Sequence, residues 1–156
     1  MKPPVTIDNL LEEWAKDSVI DETEPARTLA KTSSLHAKYL RILTHHNLIV
    51  KKLMADYTKL KRLKWEYYSG DLNNPEDLKE HGFEPLAKKI LRPDIPMYLD
   101  SDDQLNTILI KKVLHQEIVD ACTSILKEVN NRTWQDRKST RLNSSHVSES
   151  RMPSSA

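Results

Sequence analysis

Between Lys59 and Gly70 the chain reads KLKRLKWEYYSG, in which four cations (Lys59, Lys61, Arg62, Lys64) lead directly into three aromatics (Trp65, Tyr67, Tyr68). Clustered cations suit phosphates, whose neutralisation releases counterions. Exposed aromatic faces suit unstacked bases, at about 1–3 kcal/mol each. Lys52, seven residues before Lys59, extends the row. The combination points to single-stranded nucleic acid gripped by Lys52, Lys59, Lys61, Arg62 and Lys64, with Tyr67 and Tyr68 shaping the end of the segment. The plainer reading is a solvated basic helix face whose aromatics anchor the helix end in the core.

Other chemistries lack their residues. Gly70 and Gly82 are the two glycines, too few for a phosphate-cradling loop of the GxxxxGK or GxGxxG kind. His36, His45, His46, His81 and His115 form no HExxH pair, and Asp100, Asp102 and Asp103 read as helix-capping acids rather than a cation site. Cys122 stands alone in an apolar helical pattern, which excludes a disulfide framework and suggests a reducing compartment. No serine sits in a nucleophile-elbow context. The expectation is a protein without enzymatic activity, cofactor or metal. No stretch is apolar enough to cross a membrane, and Met1 to Asn9 does not read as a signal peptide.

The elements that would position these residues are helical. Ile7, Leu10, Leu11 and Trp14 make a short amphipathic helix over 7–18. A stretch free of Gly and Pro from Ala26 to Tyr68, stopped by Gly70, predicts one central helix about 65 Å long. Along it Leu35, Tyr39, Ile42, His46, Ile49, Leu53, Tyr57 and Leu60 form a coiled-coil-like seam, with Lys64 on its extension. Lys38, His45, Lys52 and Lys59 recur every seven residues beside it, with Arg41 in the same row. Asn74-Pro75 and Gly82 bracket a short helix over 75–81. Residues 83–100, with Pro85, Pro93 and Pro96 and alternating Ile95, Met97 and Leu99, read as an irregular connection or edge strand. Ser101 and Gln104 form a capping box ahead of a final helix whose stripe is Leu105, Ile108, Leu109, Leu114, Ile118, Ala121, Ile125 and Val129. Trp14 and Trp134 read as core residues. The fold class is therefore all-α and elongated, in a single domain over 1–135.

Charge is segregated along the chain. Asp8, Glu12, Glu13, Asp17, Asp21, Glu22 and Glu24 face Lys16 alone, whereas Lys38 to Trp65 holds eight bases against Asp56. From Asp136 onward, seven serines in 21 residues predict a disordered tail. The strings DRKSTRLNSSH (136–146) and SRMPSSA (150–156) resemble two halves of a translated sequencing adapter, so 136–156 is read as artefactual. Without it the formal charge is −1, from 20 bases and 21 acids.

KRLKWEYYSG (61–70), VIDET (19–23), LHAKYL (35–40) and the KKILRPDIPMYLDSD connection (88–102) together resemble the UvsY-like recombination mediators of T-even-type bacteriophages over about residues 8–135. The resemblance implies a protein that binds single-stranded DNA and helps load the phage recombinase onto strands covered by the phage single-strand-binding protein. It also implies a ring-shaped homo-oligomer acting in the cytoplasm of the infected bacterial host. The family's two DNA-binding basic positions fall on Arg62 and Lys64, with Arg and Lys exchanged, and Trp65 stands where an aliphatic residue is usual. A C-terminal helix beyond Asn130 to Gln135 is implied to serve assembly, so the chain as written is expected to assemble poorly. The alternative is a coiled-coil structural or interaction protein whose basic face binds an acidic protein partner, for instance its own Asp8–Glu24 segment.

Overall fold

Thr6 starts the first helix: its side-chain oxygen accepts the Asn9 N–H at 3.2 Å, and Asp8 lies in the first turn, where the helix dipole favours an acid. In the computed structural model, which describes residues 5–150, the elements are α1 (Ile7–Asp17), α2 (Pro25–Ser69), α3 (Pro75–His81), a 3-10 turn (Arg92–Asp94), α4 (Ile95–Asp100) and α5 (Asp103–Ser150). No strand occurs among the described residues. The chain is all-α, with a long central helix. It divides into two compact units, residues 1–45 with 117–156, and residues 46–116.

The core of the first unit is built from Leu10, Leu35, Tyr39, Ile118, Cys122, Ile125 and Val129. Trp14 packs edge-on to Tyr39 at 5.5 Å, and the Arg132 guanidinium lies 5.4 Å from the Trp14 ring. Tyr39 is fully buried and donates its hydroxyl to Asp17 at 2.9 Å. Asp17 also receives Lys38 Nζ at 2.7 Å, and Glu13 receives it at 3.0 Å. Burial pushes the Cys122 thiol up to about 11, so it behaves as a small core hydrophobe. Trp134 departs from its core expectation and is exposed. It lies five residues past buried Val129, about 140° around the helix from the face that packs.

The second unit gathers Ile90, Ile95, Leu99 and Leu105 with Tyr57, Leu60, Leu86, Tyr68 and Tyr98. α3 follows its sequence signals: Asn74 accepts the Glu76 N–H, Pro75 opens the helix, and Gly82 closes it at φ +72°. Residues 92–100 correct the expectation of an extended segment. Pro93 and Pro96 sit in first turns, where a missing N–H costs nothing, and Ile95 and Leu99 are buried at helical i, i+4 spacing while Met97 is exposed. The cap of α5 is Asp102 rather than Ser101: Asp102 Oδ1 accepts the Leu105 N–H at 3.0 Å, and Ser101 Oγ donates back to the Met97 carbonyl. In α5 the packing row takes His115 in place of Leu114, which is exposed. His115 Nδ1 lies 2.9 Å from Nδ1 of buried His46, so one ring donates and the other accepts. α5 runs on through Ser150, so the backbone of 136–150 is helical where composition predicted disorder. No Gly or Pro interrupts 103–150, and serine costs a helix only a few tenths of a kcal/mol per residue.

Candidate nucleic-acid interface

The last five turns of α2 lie in the second unit, and their sequence fixes two faces. Tyr57, Leu60, Lys64 and Tyr68 follow three- and four-residue spacing and turn inward. Lys52, Lys59, Lys61 and Arg62 turn outward and are exposed. Lys52, Lys59 and Arg62 fall within about 80° of one another around the axis, whereas Lys61 stands about 160° from Lys59, at the far edge of the exposed face, with its Nζ 5.8 Å from the centre of the Tyr57 ring. Among the described residues no carboxylate lies within ion-pair distance of Lys52, Lys59 or Lys61. Arg62 meets Glu66 at 3.6 Å with its side chain 85% exposed, a contact that solvent screens and a phosphate can displace. Lys38, by contrast, is already held by Glu13 and Asp17.

Lys64 has a different environment from its basic neighbours. Its side chain is 8% exposed, with Nζ 3.0 Å from Asp102 Oδ2, which is itself buried. The ammonium also lies 4.2 Å from the centre of the Phe83 ring. Tyr68 donates its hydroxyl to the same Asp102 oxygen at 2.6 Å. Burial pushes the Asp102 carboxyl up, but the hydrogen bonds from Tyr68, the Leu105 N–H and Lys64, with the charge of Lys64, outweigh it and hold the group below its ordinary value of 3.8. Burial, joined by Asp102, drives the Tyr68 phenol well above its usual range. Tyr67 donates its hydroxyl to the Glu84 carbonyl, and its ring packs on Phe83 at 4.9 Å and Tyr68 at 5.1 Å.

This arrangement places Lys64, expected among the cations that grip the strand, inside the fold, and sets Tyr67 and Tyr68 in contacts at the end of α2. Four residues past Leu60, Lys64 occupies the next position of the apolar seam, and the buried charge is tolerated because Asp102 meets it. The seam spacing was the signal in the sequence; the partner, 38 residues away in the chain, had none. One aromatic of the cluster does face solvent. Trp65 is 42% exposed.

Residues 13–144 match the family described as recombination, repair and ssDNA binding protein UvsY. The chain belongs to the UvsY family. Its fold is similar to that of the bacteriophage T4 recombination mediator protein UvsY in two crystal forms. In one the TM-score is 0.75 at 17% identity, covering 92% of this chain and 99% of the other. In the second the TM-score is 0.74 at 17% identity, with 90% and 98% covered. No curated protein matches the chain. UvsY membership gives the chain a role in recombination and single-stranded DNA binding. No helix among the described residues is long and apolar enough to cross a membrane, and none of their His, Cys, Asp and Glu side chains form a group that could hold a metal ion. Of the two basic positions singled out by the sequence resemblance, Arg62 lies on the surface and Lys64 beneath it.

Proposed function

We propose that this chain is a recombination mediator: it captures single-stranded DNA and promotes loading of the phage recombinase onto strands coated by the phage single-strand-binding protein. The observation that carries the reading is the broad exposed face of α2 that carries Lys52, Lys59 and Arg62 together and Lys61 at its far edge, in which none of the three lysines is matched by a carboxylate among the described residues. Phosphates are the natural complement of such a face, and counterion release makes their capture favourable without base contacts. Lys64, Tyr67 and Tyr68 serve the same surface from below. Their contacts with Asp102, Phe83 and the Glu84 carbonyl fix the end of α2 against its neighbours, so the exposed cations keep their spacing.

The mechanism we infer is electrostatic and needs no bond-making. A row on one subunit neutralises a few phosphates, and a ring of identical subunits raises the effective concentration of the next row, so a strand wraps the assembly. Bending the strand in this way loosens the resident binding protein and presents DNA to recombinase, in the host cytoplasm. A second reading, capture of an acidic protein segment, is favoured by one observation, the pairing of Lys38 with Glu13 and Asp17 of α1. The test is recombinase ATPase on a strand already covered by the phage single-strand-binding protein. The mediator reading predicts that adding the protein shortens the lag, and that Lys52→Ala/Lys59→Ala/Lys61→Ala/Arg62→Ala does not. An unchanged lag with the wild-type chain, assembled and folded, would reject it.

A further inference from the structure

We infer that Trp65 is a stacking platform for one unpaired base of the bound strand, a role that rests on the DNA-binding reading above. Three aromatics follow the basic run, and the fold disposes of two of them. Tyr67 lies between Phe83 and Tyr68 with its hydroxyl given to Glu84, and Tyr68 is tied to Asp102 and packed on Tyr98 at 5.6 Å. Trp65 remains 42% exposed. Its neighbours on the helix surface are Lys61, one turn earlier at i−4, and Arg62 at i−3, both exposed cations. An apolar ring flanked on the helix surface by two phosphate-seeking side chains fits a nucleotide, which joins a flat base to a phosphate. An acidic peptide would supply the charge and no flat face. Stacking of this kind tolerates any base, because each has a π-face.

The experiment compares the full chain with Trp65→Leu and Trp65→Phe, each titrated against an oligo-dT strand and a strand of equal length with abasic sites, with light scattering on the same samples. For the wild type we expect the dT strand to bind roughly 5- to 150-fold more tightly than the abasic one, the range for one stacked base. Trp65→Leu should lose most of that preference and bind the abasic strand as the wild type does. Trp65→Phe should keep part of it, and none of the three should differ in salt dependence or mass. The inference is overturned if the wild type shows no preference, or if the preference survives in Trp65→Leu. It is equally overturned if Trp65→Leu changes the mass together with affinity, which would assign the ring to a contact between copies. A wild type that binds neither strand refutes the DNA-binding reading itself, and stacking with it.

Discussion

Lys64→Met separates the two ways in which a lysine can serve a DNA-binding surface. The substitution keeps the unbranched stem and removes the ammonium that lies 3.0 Å from Asp102, with the two side chains only 8% and 4% exposed. Removing one partner of a buried ion pair costs about 3–5 kcal/mol, because the other charge is left uncompensated. Asp102 retains two donors, the Tyr68 hydroxyl and the Leu105 N–H, so the lower end applies, about 3 kcal/mol. For a chain of this size that lowers Tm by about 6–12 °C. Chemical and thermal unfolding at fixed protein concentration would measure it, alongside the salt dependence of single-strand binding under conditions where the variant is folded. A buried lysine predicts lost stability with an unchanged salt slope; Arg62→Ala predicts unchanged stability with a slope shallower by about 0.7. If Lys64→Met costs under 1 kcal/mol and flattens the slope, the ammonium faces phosphate and the account of this cluster fails.

Three further expectations follow from the same geometry. Asp102 is held below 3.8, so near pH 4 the unfolded chain binds more protons than the folded one; the stability it confers is present above that range and is lost as pH falls through the folded value. Asp102→Asn, which keeps a good helix cap, should lower stability at pH 7 and flatten its fall between pH 5 and 2, read by denaturant titration across that range. Tyr39→Phe should cost about 1.5 kcal/mol, the low end for a hydrogen bond to a charged group, because Asp17 keeps Lys38; unfolding of the variant, with Asp17→Asn as control, would check it. Gly82→Ala should cost about 1–2 kcal/mol from backbone conformation alone, since φ is +72° and no atom lies within 4 Å of the added Cβ; a near-neutral result would mean the α3 cap adjusts.

Helices announced by local chemistry were legible in the sequence, and contacts between distant residues were not. Asn74-Pro75 and Gly82 bounded α3, and Gly70, at φ +86°, ended the central helix, because caps and left-handed turns depend on residue type at one position. α4 was misread because alternation of Ile95, Met97 and Leu99 also satisfies i, i+4 burial, and prolines at first-turn positions look like breakers. Ser101 with Gln104 matched a capping box, yet the Ser101 hydroxyl is given to the Met97 carbonyl and Asp102, one residue on, accepts the Leu105 N–H. At the candidate interface Lys52, Lys59 and Arg62 were readable as surface from their angle to the seam, whereas Lys61, about 20° around the axis from Tyr68, was not. Lys64 was readable as charge but not as a buried one, since that depends on Asp102. Trp65 differed from the two tyrosines only through what packs around them.

The central claim is that the exposed basic face of α2 holds a single strand by its phosphates. The measurement that meets it most directly is fluorescence anisotropy of a labelled single strand over a range of salt concentrations, for the wild type and for Lys52→Ala/Lys59→Ala/Lys61→Ala/Arg62→Ala, with mass determined on the same samples. The account predicts a steep fall of affinity with salt for the wild type, and for the variant, at unchanged mass, weaker binding with a slope shallower by up to about 3. An assembled wild type that does not bind, or a variant with the same affinity and slope, would contradict it.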